Sequence, residues 1–201
     1  MTPTNHGPGP AGSGGHRPAV NPLWTGRIVR LRGIAPEDWR SFMHFDENNV
    51  RAVDPLHHPP RSAEGYRHWA AHRSRQSAPT DEFQLAVETR VAGVLVGSVS
   101  TSQADPRAGR FGYGIGIAQE HQRNGYAADA IRVLLTFMFG HRRYHKCEVG
   151  IYGFNQASLA LHHKLGFQQE GLLREHEFFA GRHHDLVLMG ITAPEFARQQ
   201  W

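Results

Sequence analysis

The rhythm of hydrophobic and polar positions changes at Ile117. Upstream, Phe111, Tyr113, Ile115 and Ile117 fall on every second position with small residues between them, the period of a strand with one buried face. Downstream, Ala128, Ile131, Leu134, Leu135 and Met138 recur at helical spacing. Between the two runs lies Gln122-Arg123-Asn124-Gly125-Tyr126-Ala127. A strand that passes through a small-residue turn into a helix leaves main-chain N–H groups unpaired at the helix start. The helix dipole adds partial positive charge there. The pattern therefore predicts an anion seat, suited to a phosphate or pyrophosphate. Gly125 and Ala127 are small enough to let phosphate oxygens approach the backbone. A turn of this composition can also serve only as a connection.

The same reading gives the rest of the elements. Ile28, Arg30 and Arg32 alternate with Val29 and Leu31, a first strand. Ala35-Pro36-Glu37-Asp38 starts a helix with proline and acids in its first turn, and Trp39, Phe42, Met43 and Phe45 supply its buried face. Asp46 to Pro60 is irregular, because its prolines forbid continuous helix. Ser62, Gly65, Tyr66, Trp69 and Ala70 begin a second helix. Its Arg67, His68, His72, Arg73 and Arg75 are either a solvated basic face or a dock for an acidic substrate. Phe83, Leu85 and Val87, then Val91 to Val99 after a turn at Thr89-Arg90, predict a hairpin. Cys147 to Ile151 is an apolar strand, Asn155 opens a further helix, and Gln168 to Phe178 pairs with Arg182 to Thr192 through Ala180-Gly181. A short helix over Pro194 to Trp201 closes the chain. Antiparallel strands followed by a strand–helix–strand–helix unit predict a mixed α/β sheet.

Composition changes this picture little. The 201 residues are 39% hydrophobic and 20% charged, ordinary for a globular chain. Residues 1–22 are Gly- and Pro-rich with almost no large apolar side chains, so they read as a flexible leader to a domain spanning 23–201. The net charge of +4 is modest, and no Lys/Arg run is dense enough to argue for nucleic acid. The 15 histidines are scattered without the spacing of a zinc site, so no metal is expected. Cys147 is the sole cysteine, which excludes an internal disulfide and suits a reducing cytoplasm. In its apolar strand it reads as a packing residue. No apolar run reaches transmembrane length, so no membrane partner is expected.

The hexapeptide Gln122 to Ala127 resembles the Q/R-x-x-G-x-G/A signature of the GNAT acetyltransferases. Asn155-Gln156-Ala157-Ser158, running to Lys164-Leu165-Gly166-Phe167, resembles the N-x-x-S/A…K-x-G-F element of the same superfamily. The tail, with Glu170-Gly171-Leu172-Leu173-Arg174, Gly181 to Asp185 and Leu186 to Met189, resembles the RimJ/RimL-type branch of ribosomal-protein N-terminal acetyltransferases. The resemblance runs from about Trp24 to Phe196. It implies one GNAT-type α/β domain, with a mixed, mostly antiparallel twisted sheet splayed in the middle and flanked by helices. It also implies acetyl-CoA as acyl donor, or a longer acyl-CoA, and a primary amine as acceptor, either a protein N-terminus or a small molecule. A homodimer is a further family expectation. A coenzyme-A-binding module without turnover is the alternative.

The resemblance also assigns residues. The pantetheine arm would lie between the strand Tyr113 to Ile117 and the strand beginning at Cys147, pairing with backbone near Ile115 and Ile117. The pyrophosphate would meet N–H groups from Arg123 to Ala127, including Asn124, Gly125 and Tyr126, with Gln122 and Arg123 beside it. Asn155 suits a helix N-cap, and in the family its counterpart contacts the pantetheine arm, with Ser158 facing the same way. His162 stands seven residues after Asn155, where many family members carry a tyrosine as general acid to the thiolate. It is either a proton donor or a packing histidine. No carboxylate occurs between Arg107 and Ala118, where several relatives place a general base. Asp54, His57, Glu82 or an ordered water remain open for that role, and Tyr113 either orders such a water or belongs to the core. Asp185 either pairs with an arginine or meets the acceptor.

Overall fold

The structure, a computed structural model, describes residues 22–48, 59–75 and 80–199. Alternation at Val29 and Leu31 becomes β1 (Val29–Gly33). A short 3-10 turn at Pro36–Asp38 leads into α1 (Trp39–Asn48), and α2 (Ala63–Arg75) follows. Next come β2 (Gln84–Thr89), β3 (Leu95–Asp105) and β4 (Arg110–Ile117). The crossover α3 (Tyr126–Gly140) leads to β5 (Lys146–Tyr152), then α4 (Gln156–Lys164), β6 (Gln168–Phe179), β7 (Arg182–Thr192) and α5 (Ala193–Arg198). The seven strands form one sheet in the order β1-β2-β3-β4-β5-β7-β6. Every neighbouring pair is antiparallel except β4 with β5.

Strand parity separates two cores. Leu31, Val87, Val99, Phe111, Tyr113, Cys147, Val149 and Ile191 share one face and pack against Ile131, Leu134, Leu135 and Met138 of α3 and Leu165 after α4. On the opposite face, Ala86 and Leu95 meet Phe42 of α1 and Tyr66 and Ala70 of α2. Of the expected α1 face only Phe42 is buried, while Trp39, Met43 and Phe45 are partly covered. The polar positions of β1 also turn inward. Arg30 and Arg32 both pair with the buried Glu88 of β2, and Arg32 reaches Asp38 as well. Two opposing charges on Glu88 make its burial tolerable.

One boundary moves. The predicted strand at Val91 begins instead at Leu95, and Arg90 to Val94 form the hairpin loop. Gly93 takes a left-handed φ of 66°, and the Thr89 N–H donates to the Val94 carbonyl at 2.8 Å. This turn chemistry overrides the β-propensity of Val91, which is 90% exposed.

Candidate active site

The sheet forks at the parallel pair β4 and β5. β4 and β5 are in register at Arg110↔Lys146, Phe111↔Cys147 and Gly112↔Glu148, and pairing stops there. Tyr113 to Ile117 keep their β3 partners but have none on β5, whose Val149 to Tyr152 pair only with β7. The expected splay is therefore present, and it leaves a strip of main chain along Ile115 and Ile117 able to bond to a guest. Parity gives the strip two different sides. Phe111, Tyr113, Ile115 and Ile117 point to the α3 face, whereas Gly112, Gly114 and Gly116 leave the α1/α2 face of β4 without side chains.

The loop from Gln122 to Ala127 lies at the mouth of this fork. Arg123 and Gly125 both adopt left-handed φ angles, 64° and 81°. Gly125 does so at no steric cost. Arg123 is held there by the loop's own hydrogen bonds. The Asn124 amide donates to the carbonyls of His121 and Gln122 at 3.1 and 3.2 Å. The Gln122 amide donates to the Ile117 carbonyl at 3.1 Å, tying the loop to the end of β4. The Asp129 N–H closes the first helical bond onto Gly125 at 3.1 Å, so the N–H groups of Tyr126, Ala127 and Ala128 belong to the unpaired first turn. These donors converge where the α3 dipole is positive, a setting that can receive an anion.

At the crotch of the fork, Tyr113 is the first β4 residue past the pairing. Its hydroxyl lies 2.8 Å from His162 Nε2. His162 Nδ1 lies 2.8 Å from the Ser158 carbonyl and 3.4 Å from the Ser158 hydroxyl. A carbonyl only accepts, so Nδ1 carries the hydrogen and the Tyr113 hydroxyl donates to Nε2. His162 is 3% exposed, and burial holds its pKa below the ordinary histidine value. Burial pushes the Tyr113 hydroxyl well above the usual phenol range. The pair is thus neutral, with one shared proton at a defined atom.

The helix cap explains this placement. The Asn155 carboxamide oxygen accepts the Ser158 N–H at 3.1 Å, an N-cap that fixes the start of α4. At the other end Gly166 is left-handed, φ 87°, and the Phe167 N–H donates to the His162 carbonyl at 3.0 Å. This Schellman closure turns Phe167 back, and its ring meets His162 edge-on at 5.1 Å. The K-x-G-F element therefore fixes His162 from below.

Other candidates lie elsewhere. Asp54 and His57 fall outside the described residues, as do 1–21 of the leader. Glu82 accepts the Ala104 N–H at 3.2 Å, near the far end of β3 from the loop. The Asp185 side chain has no arginine partner among the described residues, and the residue's main-chain carbonyl accepts the Gly153 N–H at 2.8 Å just past the end of β5. The Asp185 carboxylate accepts the Glu175 N–H at 2.9 Å, because Glu175 sits in a left-handed bulge of β6 that needs a side-chain acceptor. Cys147 is fully buried and its thiol pKa is raised by that burial, which suits packing. On α2, Arg67 stacks over Trp39 at 4.5 Å and pairs with Glu64, a structured but exposed face. Among the described residues no acidic, histidine or cysteine cluster could hold a metal ion. No helix there is long and apolar enough to cross a membrane. Asp129 is a buried acid that the sequence pattern did not single out. Its position in the first turn of α3 was the available signal.

The family described as Acetyltransferase (GNAT) domain matches this chain over residues 29–168. The chain belongs to the GNAT acetyltransferases. It is similar to the SPbeta prophage-derived uncharacterized N-acetyltransferase YokL of Bacillus subtilis (strain 168), with 37% identity over 86% of this chain and 94% of that one. It is 32% identical to the spermidine N(1)-acetyltransferase of Vibrio cholerae serotype O1 (strain ATCC 39315 / El Tor Inaba N16961), over 40% of this chain and 46% of that one. The crystal structure of spermidine N-acetyltransferase from Vibrio cholerae in complex with CoA and spermine shares the fold, with a TM-score of 0.71 and 24% identity over 85% of this chain and 98% of that one. The protein is accordingly a GNAT-type N-acetyltransferase that uses acetyl-CoA.

Proposed function

We propose that this GNAT enzyme transfers the acetyl group directly from acetyl-CoA to a primary amine within a ternary complex. The fork between β4 and β5, closed at its mouth by the loop 122–127, carries this reading. The pyrophosphate takes the N–H groups of Arg123 to Ala127, including Asn124, Gly125 and Tyr126. Arg123 supplies positive charge, and Gln122 shapes the loop through Ile117. The pantetheine amides pair with main chain at Ile115 and Ile117. Asn155 and Ser158 border the arm from α4, Asn155 with its carboxamide NH2 as donor while its oxygen caps the helix.

Chemistry follows from this placement. The amine nitrogen, in its neutral form, attacks the thioester carbonyl carbon. The C–S bond then breaks, and the proton that leaves nitrogen ends on the coenzyme sulfur. Tyr113 and His162 act as one unit here. With its raised pKa the Tyr113 hydroxyl stays protonated, so it can swing its hydrogen from His162 Nε2 to the departing thiolate without ionising. His162 holds that hydroxyl in place. No carboxylate lies on β4 to take the amine proton, which suits an amine with a lowered pKa or a base from another segment. The acceptor is a polyamine, as the name of the Vibrio relative suggests, or a protein N-terminus, as the tail motif suggests. A cytoplasmic setting accords with the buried, unpaired Cys147.

The test is free-thiol release from acetyl-CoA in the presence of spermidine, N-terminal peptides of ribosomal proteins, and amino acids. Release with a primary amine and an acetylated product by mass spectrometry is expected. Binding of coenzyme A without release against any amine would leave a binding module instead. Replacing Gly125 by Asp places a side chain and a negative charge at the loop, and should raise KM for acetyl-CoA by about tenfold or more. Unchanged binding in that variant would overturn the placement of the pyrophosphate.

A further inference from the structure

We propose that Asp129 is a positioning residue for the donor's diphosphate, acting through the turn at residues 26–29. The proposal rests on the diphosphate reading of the loop 122–127. The Asp129 carboxylate is 4% exposed. It accepts the successive main-chain N–H groups of Arg27, Ile28 and Val29 at 3.1, 2.8 and 3.0 Å. Three consecutive N–H groups curled around one anion form a nest. Here the anion is the protein's own, and the nest is the turn entering β1, closed by the Gly26 N–H donating to the Val29 carbonyl at 2.8 Å.

The turn touches the loop as well as the helix. A Cβ at Gly125 would lie 3.5 Å from the Ile28 Cδ1, so Ile28 backs the left-handed glycine from outside. On its far side the turn is held by the Arg90 N–H, which donates to the Ile28 carbonyl at 2.8 Å. Position 26 is constrained by the same contact: a Cβ at Gly26 would fall 2.4 Å from the Asp129 Oδ2. The chain from β1 is thus locked onto the first turn of α3 at the place where Gly125 must keep its φ. A loop so backed presents its N–H groups in one arrangement before the ligand arrives, which removes an ordering cost from binding.

Charge and position pull in opposite directions at Asp129, and this makes the idea testable. Its negative charge alone opposes a diphosphate seated on the same helix start. Replacing Asp129 by Asn removes that charge, keeps the shape, and turns an amide N–H toward the turn's N–H groups. If position governs, KM for acetyl-CoA rises about tenfold in Asp129→Asn. The kcat and the kcat/KM for acetyl-pantetheine, which ends before the diphosphate, then stay within about twofold of wild type. Gly26→Ala should give the same split. Should Asp129→Asn not fold, Gly26→Ala and Ile28→Ala carry the test, the latter at a partly exposed side chain. A fall in KM for acetyl-CoA, or an equal loss with both donors, would overturn the proposal. Gly125→Asp runs in the same series. If it also binds coenzyme A normally, the diphosphate reading fails; if it alone weakens binding, only the role of Asp129 fails.

Discussion

His162 is neutral because it is buried, and its tautomer follows from one carbonyl. The Ser158 oxygen takes the Nδ1 hydrogen, so Nε2 is left to accept from Tyr113. Two consequences can be measured. Tyr113→Phe leaves Nε2 buried without its donor and should cost about 1–3 kcal/mol in chemical denaturation; a change near zero would mean that water replaces the hydroxyl. The second is a pH dependence. The folded pKa of His162 is below the unfolded value of about 6.5, so the unfolded chain binds more protons on acidification. The stability from burying neutral His162 is complete above about pH 6.5 and is lost as pH falls toward and through the folded value. His162→Phe should therefore lose less stability than wild type between about pH 7.5 and pH 5. Parallel losses would place His162 in a more hydrated setting. The pattern of the sequence marked both residues and left their roles open. It could not show that they meet, since 49 positions separate them.

Adjoining glycines on β3 and β4 do different work at the scale of elements. A Cβ at Gly97 would lie 2.0 Å from the Gly116 carbonyl oxygen, so β3 and β4 are in contact through bare backbone at the edge of the fork. A Cβ at Gly116 would meet nothing within 4 Å. Gly97→Ala should cost about 2 kcal/mol or more, because main chain rather than a flexible side chain must yield. Gly116→Ala should change stability by no more than about 0.5–1 kcal/mol. Equal effects in thermal denaturation would contradict this contrast. The strand itself was legible, since the alternation from Phe111 to Ile117 reads directly from the chain. The N-cap of α4 was legible too, in Asn155, whereas the closing role of Gly166 came only with its left-handed φ of 87°. The start of β3 was not, because Val91 and Val94 have strand propensity but lie in a loop set by Gly93.

For the molecule as a whole, the fork is an unfinished part of the sheet. Tyr113 to Ile117 lack strand partners on one side, and the resident enzyme supplies none among the described residues. Acetyl-CoA should complete that edge. Coenzyme A at about 100-fold its Kd is expected to stabilise the fold by about 2.7 kcal/mol. Hydrogen exchange should then slow most at the fastest amides of 113–117 and in the loop 122–127. Protection confined to another region would move the donor out of the fork.

The sequence alone determined the strand and helix periods, the loop that softens the entry to α3, and the N-cap of α4, because each is written in neighbouring positions. It carried enough local chemistry to point to the family. Only the tertiary structure decided where β4 and β5 part, that Tyr113 donates to His162, that Asp185 serves a β-bulge, and that Asp129 grips the turn before β1. Those facts depend on segments brought together from distant parts of the chain, and periodicity carries no information about which of them will touch.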